Sequence, residues 1–145
     1  MPFKLEVDTI VSMSNEDYFF LGLKALIQNP DGKLLLLKRP SLASDIPGGR
    51  IQKGEKLEGA LKREVFEETA LEITTMAPFF MFVTNVRIQD LGLIISSYLC
   101  EVTSISKVQL SSEHIDFKWA DLSEASKCLS SVFSQEFADK ISILA

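Results

Sequence analysis

A chain of 145 residues with 46% hydrophobic content has the size of one ordinary domain and can bury a substantial core. Its net charge of -5 excludes a broad electrostatic grip on a nucleic-acid polymer, although a bound cation would invert the field locally for a small phosphorylated ligand. Cys100 and Cys128 lie far apart without metal-ligand spacing, and no apolar run reaches membrane-spanning length, so the expectation is a reduced cytoplasmic protein with no membrane partner.

In chain order, residues 1–15 contain a strand-like stretch, Phe3 to Val11, but no recognisable chemistry. That stretch offers an edge for sheet pairing or for a homodimer, and a monomer fits equally well. Tyr18–Gln28 and Lys33–Arg39 read as strands, joined by Asn29-Pro30-Asp31-Gly32, where Pro fixes φ and Asp and Gly suit a tight bend. The expectation is a hairpin. Lys38 and Arg39 emerge at its end, either as a solvated pair or as a grip on substrate phosphate oxygens. Ser41–Arg50 reads as a loop, stiffened by Pro47 and given unusual backbone freedom by Gly48 and Gly49.

A helix follows, with the densest charge in the chain: Arg63, Glu64, Glu67 and Glu68. With Leu57 at zero and about 100° per residue, Leu57, Leu61 and Val65 span about 0° to 80° and Ala60 falls at about 300°. Glu64, Glu67 and Glu68 fall at about 340°, 280° and 20°, so they share an arc with the core-facing residues. Carboxylates converging beside an apolar surface repel and lose hydration unless their pKa values rise or a cation sits among them. A hard divalent ion such as Mg2+ is the simplest resolution, since it takes carboxylate, water and phosphate oxygens. The alternative is a solvated Glu/Lys helix.

Gly49, Glu55, Arg63-Glu64-Val65, Glu67-Glu68 and Leu71 have the spacing Gx5Ex7REUxEExGU, with U aliphatic, and this pattern resembles the Nudix box. Eight of nine specified positions match, and Ala70 stands where the family has glycine. A helix ending there in the left-handed region would carry a Cβ penalty of about 1 kcal/mol. Lys56 occupies the place of a capping Ser or Thr, and Gly59 lies in the first turn, so the helix start should fray. The resemblance implies a Nudix-type α/β/α sandwich with a mixed β-sheet as one domain over residues 1–145; periodicity alone supports only the broader α/β class. It also implies that Glu64, Glu67 and Glu68 hold Mg2+, or Mn2+, with a backbone carbonyl from Gly48, and that Arg63 orients a neighbouring carboxylate. Glu55 has two readings: a brace for the loop, or an outer group at the metal.

Beyond the helix, Leu71–Thr75, Pro78–Val86 and Leu93–Val102 read as strands, with a turn at 89–92. Phe79, Phe80 and Phe82 are expected in the core. Ile115–Ala120 is a further strand candidate after the polar loop Ser111–His114. Glu113 in that loop resembles the extra carboxylate that many Nudix relatives supply, and a solvated loop is the competing reading. His114 is expected to be a surface or structural residue rather than a ligand, and Trp119 to pack. Leu122–Ser130 and Ser134–Ile143 read as short helices with core positions Leu122, Ala125, Leu129, Phe133, Phe137 and Ile141.

The expected activity is Mg2+-dependent hydrolysis of a nucleoside diphosphate linked to another moiety, with Glu64, Glu113 or Glu67 as the proton acceptor. The proline of ADP-ribose hydrolases and the tyrosine of dinucleoside polyphosphate hydrolases are missing at 86–89, which favours unmodified or oxidised nucleoside triphosphates. Nucleotide sugars, ADP-ribose and a non-catalytic nucleotide sensor remain as alternatives. A metal-binding interaction domain that recruits a basic partner through its acidic helix is another.

Overall fold

The computed structural model describes residues 18–88 and 90–144, so the strand-like stretch Phe3 to Val11 lies outside the described residues. In chain order the elements are β1 (Phe19–Ile27), β2 (Leu34–Lys38), β3 (Ser44–Asp45), β4 (Gly48–Arg50), α1 (Leu57–Thr69), β5 (Ile73–Ile88), β6 (Leu91–Val102), β7 (Asp116–Ala120), α2 (Leu122–Ser130) and α3 (Gln135–Ser142).

The strands form two sheets, ordered β4-β1-β6-β5 and β3-β2-β7. In the first, β1 runs parallel to β6 from Phe19↔Gly92 to Ile27↔Cys100, while β4 and β5 pair antiparallel, which makes that sheet mixed. The turn at residues 29–32 forms as expected, with Gly32 N donating to Asn29 O at 2.9 Å. The hairpin does not continue beyond it. After a single bridge between Gln28 and Leu34, β1 and β2 part into different sheets. Leu34 to Leu37 are all buried, so this strand spends both faces on packing.

Alternation along the strands separates two cores. Leu26, Leu34, Leu36, Phe82 and Ile95 pack against Ala125, Leu129, Phe133, Phe137 and Ile141 of the terminal helices. Leu23, Ala25, Ile27, Leu35 and Leu37 pack on the other side against Ala60, Leu61 and Val65 of α1. The result is an α/β/α sandwich. Leu122 is only partly buried, and Leu57 is 40% exposed because it sits in the helix's first turn, overhanging the core.

Two further expectations need correction. The separate strands Leu71–Thr75 and Pro78–Val86 are one strand, β5, with register shifts near Thr75, Pro78 and Val83. Pro78 is accommodated because β5 lies at the edge of its sheet and its missing N–H falls at a bulge. The loop Ser41–Arg50 contains two very short strands, β3 and β4, too brief to show a period.

Helix α1 begins at Lys56 with no side-chain cap and ends with Ala70 at φ 62°, its N–H donating to Phe66 O at 2.8 Å. The left-handed ending is therefore kept without glycine. Replacing Ala70 with Gly is expected to stabilise the fold by about 1 kcal/mol in urea unfolding; a neutral or negative change would show that the Cβ packs favourably enough to offset its strain.

Candidate active site

Arg63 organises one end of α1. Its Nε donates to Glu55 Oε2 at 2.7 Å and its Nη2 to Glu55 Oε1 at 2.8 Å, a bidentate fork that a lysine could not make. Its Nη1 donates to Glu64 Oε1 at 2.9 Å and to Glu67 Oε2 at 3.3 Å. Glu55 Oε1 also accepts from Gln52 N at 2.8 Å, so this carboxylate braces the loop against the helix. The Arg63 hydrogen bonds, then the Gln52 N–H, hold the Glu55 carboxyl below its usual range.

Strand β4 supplies the opposing surface. A Cβ on Gly49 would lie 2.5 Å from Glu64 Cδ, so only glycine leaves that carboxylate its place. Gly48, at φ 149°, pairs with Lys24, and a Cβ there would lie 1.9 Å from Leu23 O. Between these elements opens a cleft of about 520 Å³, with Glu64 and Glu68 on one wall and Arg39 and Lys24 among its other lining residues. Glu113 and His114 close a further side, and Ile95 and Phe133 give it an apolar part. The loop that carries Glu113 and His114 is fixed to the end of α1, where Gln109 N donates to Thr69 O at 2.9 Å and Ser111 N to Glu68 O at 3.2 Å. It is tied to β2 through Ile115 N and Lys38 O at 2.8 Å.

The cleft floor is a buried charge network centred on Asp45. Asp45 Oδ1 accepts from Lys24 Nζ at 3.0 Å and from Ile46 N at 2.9 Å. Its Oδ2 accepts from Arg39 Nε at 3.0 Å and pairs with His114 Nε2 at 3.0 Å. Burial opposes the Asp45 charge, but Lys24, His114 and Arg39 outweigh it and hold the carboxyl far below its usual range. Glu68 behaves in the opposite way. Burial pushes its pKa up to about 8, with Asp45, Glu113 and Glu64 adding repulsion and Lys24 opposing. Its Oε2 and His114 Nδ1 are buried without a hydrogen-bond partner. An orphaned carboxylate oxygen among further oxygen donors fits a divalent cation by its donor chemistry.

These shifts set a pH dependence for the metal-free protein. Between pH 4.5 and about 8 the folded chain keeps a proton on Glu68 that the unfolded chain has released, so Glu68 lowers stability as pH rises through that window. Asp45 contributes in the other direction, its stabilisation being lost as pH falls below the unfolded value of 3.8. Melting in EDTA is expected to give a lower Tm at pH 8.5 than at pH 6, with the difference reduced in Glu68→Gln. An unchanged difference in that variant would assign the effect to other groups.

The structure brings Glu64, Glu68, Glu113, Gly48 and Arg39 to one cleft. Glu67 is instead 56% exposed on the helix flank, paired with Arg63. Lys38 is exposed and lines a separate small depression with Ser44 and Asp116. Lys24, Asp45 and His114 were not legible as site residues. The single signal for Lys24 was a lysine interrupting the apolar strand FFLGLKALI.

A family model described as NUDIX domain matches residues 20–139. The chain belongs to the Nudix family. A MutT protein from Methanosarcina mazei Go1 shares 29% identity with this Nudix chain at TM-score 0.66, covering 88% of this chain and 94% of that one. A C. elegans Ap4A hydrolase gives 23% identity and TM-score 0.66 over 84% of this chain and 92% of that one. A MutT NUDIX hydrolase from Burkholderia pseudomallei gives 19% and 0.70 over 89% of this chain and 100% of that one. The last two likenesses speak to the fold alone. No curated protein sequence matches the chain. Family and fold together mark this Nudix chain as a pyrophosphohydrolase. Among the described residues, no helix is long and apolar enough to cross a membrane.

Proposed function

We propose that residues 1–145 form a single Nudix hydrolase domain that splits nucleoside triphosphates, unmodified or oxidised, between phosphates, with Mg2+ as cofactor and Mn2+ as a substitute. The observation that carries this reading is the buried Glu68 carboxylate, with an unpartnered oxygen, in a cleft shared with Glu64, Glu113, Arg39 and Lys24. Glu64 and Glu68 would hold the cation with the Gly48 carbonyl, and Glu67 would join them by leaving Arg63. When bound, the cation supplies positive charge against the phosphate oxygens.

The chain's own residues have separate tasks. Arg63 holds Glu64 through Nη1 and thereby fixes a carboxylate oxygen next to Gly49. Arg39, anchored to Asp45 by Nε alone, keeps its two terminal nitrogens as donors for phosphate oxygens, and Lys38, which lines a separate depression, would join it only by swinging round the strand end. Glu113 is the exposed carboxylate of the cleft and takes the proton of the attacking water, with Glu64 as the alternative acceptor. Ile95 and Phe133 offer an apolar surface for the base.

The test is phosphate release, with and without Mg2+, from nucleoside triphosphates, oxidised guanine nucleotides, nucleotide sugars, ADP-ribose and dinucleoside polyphosphates. The expected result is Mg2+-dependent release with the highest kcat/KM on a nucleoside triphosphate. A higher value on a nucleotide sugar, ADP-ribose or a dinucleotide would replace the substrate class. Silence across the panel, with Mg2+-dependent nucleotide binding, would make the chain a sensor.

A further inference from the structure

Glu68 Oε2 and His114 Nδ1 are both buried without a hydrogen-bond partner, and they face each other at 3.7 Å with each side chain 4% exposed. The arrangement fixes what each atom presents. Asp45 is a carboxylate paired with Lys24 and Arg39, each at 3.0 Å, so it can only accept, and His114 Nε2 beside it must carry the imidazole proton. Nδ1 is therefore left with a lone pair directed at a carboxylate oxygen. A proton on either atom would ease the repulsion but would still leave both without a hydrogen bond, because 3.7 Å exceeds its reach, about 3.2 Å at most.

A cation does resolve it. Two ligands each about 2.1 Å from one ion at a tetrahedral angle lie about 3.4 Å apart, close to the separation found here. A Glu113 carboxylate oxygen completes the group, all three ligand atoms lying within 4.8 Å of one another. Glu113 is exposed, so a modest side-chain rotation brings its oxygen in. We propose that Glu68, Glu113 and His114 form a transition-metal position in which His114 Nδ1 is a ligand. It shares Glu68 with the oxygen-lined position proposed above and differs from it by the nitrogen. It rests on that metal-dependent reading through Glu68 and through Glu113, which as a ligand here would leave Glu64 as the proton acceptor.

The ligand set determines the class of ion. Imidazole nitrogen suits Zn2+ and Co2+, with Mn2+ weaker, and is a poor partner for Mg2+. Asp45 then acts as the carboxylate that orients a metal-bound histidine through its other nitrogen, which fixes both the tautomer and the ring plane.

His114 is the chain's single histidine, so untagged protein labelled with 15N-histidine gives one imidazole and an unambiguous readout. Zn2+ is expected to move the Nδ1 resonance by the large amount direct ligation gives, with one-to-one stoichiometry while Nε2 stays protonated, and millimolar Mg2+ on Glu68 to shift Nδ1 far less. Glu113→Gln is expected to weaken Zn2+ binding about tenfold or more by calorimetry, with the amide spectrum unchanged. An Nδ1 resonance that stays in place while calorimetry shows Zn2+ bound would overturn the proposal, as would Mg2+ and Zn2+ shifting it equally. Mg2+-dependent hydrolysis with an unmoved Nδ1 would sink this site and leave the hydrolase intact. A shifted Nδ1 with no activity on any nucleotide would do the reverse.

Discussion

Glu68→Gln is expected to lower kcat by about two to three orders of magnitude while leaving the fold in place. The side chain is 4% exposed, and Gln preserves its volume, so the packing around it should hardly change. What disappears is the negative charge that burial makes costly and a cation makes tolerable. In EDTA the variant should match the wild type at pH 6, where Glu68 is protonated anyway, and exceed it in Tm at pH 9. Paired measurement of Mg2+-dependent phosphate release and thermal melting checks both halves. A turnover near the wild-type rate would remove Glu68 from the reaction, and a lower Tm at both pH values would mean that packing rather than charge was disturbed.

Asp45→Ala is expected to have the largest effect on stability, about 3 to 5 kcal/mol. Four donors converge on this carboxylate, and among them Lys24 is 7% exposed with Ile46 O as its other hydrogen-bond acceptor at 3.1 Å. Removing Asp45 strands a buried ammonium. A loss of that size is a large share of the roughly 5 to 15 kcal/mol that holds a domain folded. The cost should come mostly from the uncompensated charge, so adding Lys24→Met to Asp45→Ala should recover more than half of it. Urea unfolding of the two single variants and the double gives the coupling directly. A single-variant loss under about 1 kcal/mol would show that water reaches Lys24 and solvates it.

The site divides into residues that local sequence could place and residues that it could not. The helical period put Glu68 on the apolar arc, and Glu68 is buried there with Leu61 and Val65. The same wheel put Glu67 at the edge of that arc, about 280°, and its side chain is 56% exposed and paired with Arg63 one turn earlier. The turn at 29–32, the left-handed helix end and the two terminal helices were legible because each depends on residues only a few positions apart. The division into two sheets was not, since a tight turn between two apolar strands reads the same whether the strands pair or part. His114 looked like a surface or structural residue. It is buried and paired with Asp45, 69 positions away, and no local pattern encodes that partner.

The parting of β1 and β2 also bears on the order of folding. Lys24 belongs to one sheet and Asp45 to the other, and the pair spans 21 positions, while His114 reaches Asp45 across 69. Closing such contacts costs loop entropy, and buried ions return stabilisation only once both sheets have excluded water, so the seam is expected to form after the transition state. Substitutions at Lys24 or Asp45 should therefore accelerate unfolding and leave the refolding limb of the chevron almost unmoved, with φ-values near zero. A slowed refolding limb would instead place the seam in the nucleus. A seam that closes late is broken on the way to the unfolding transition state, so the chain loses its cleft floor before it loses its fold.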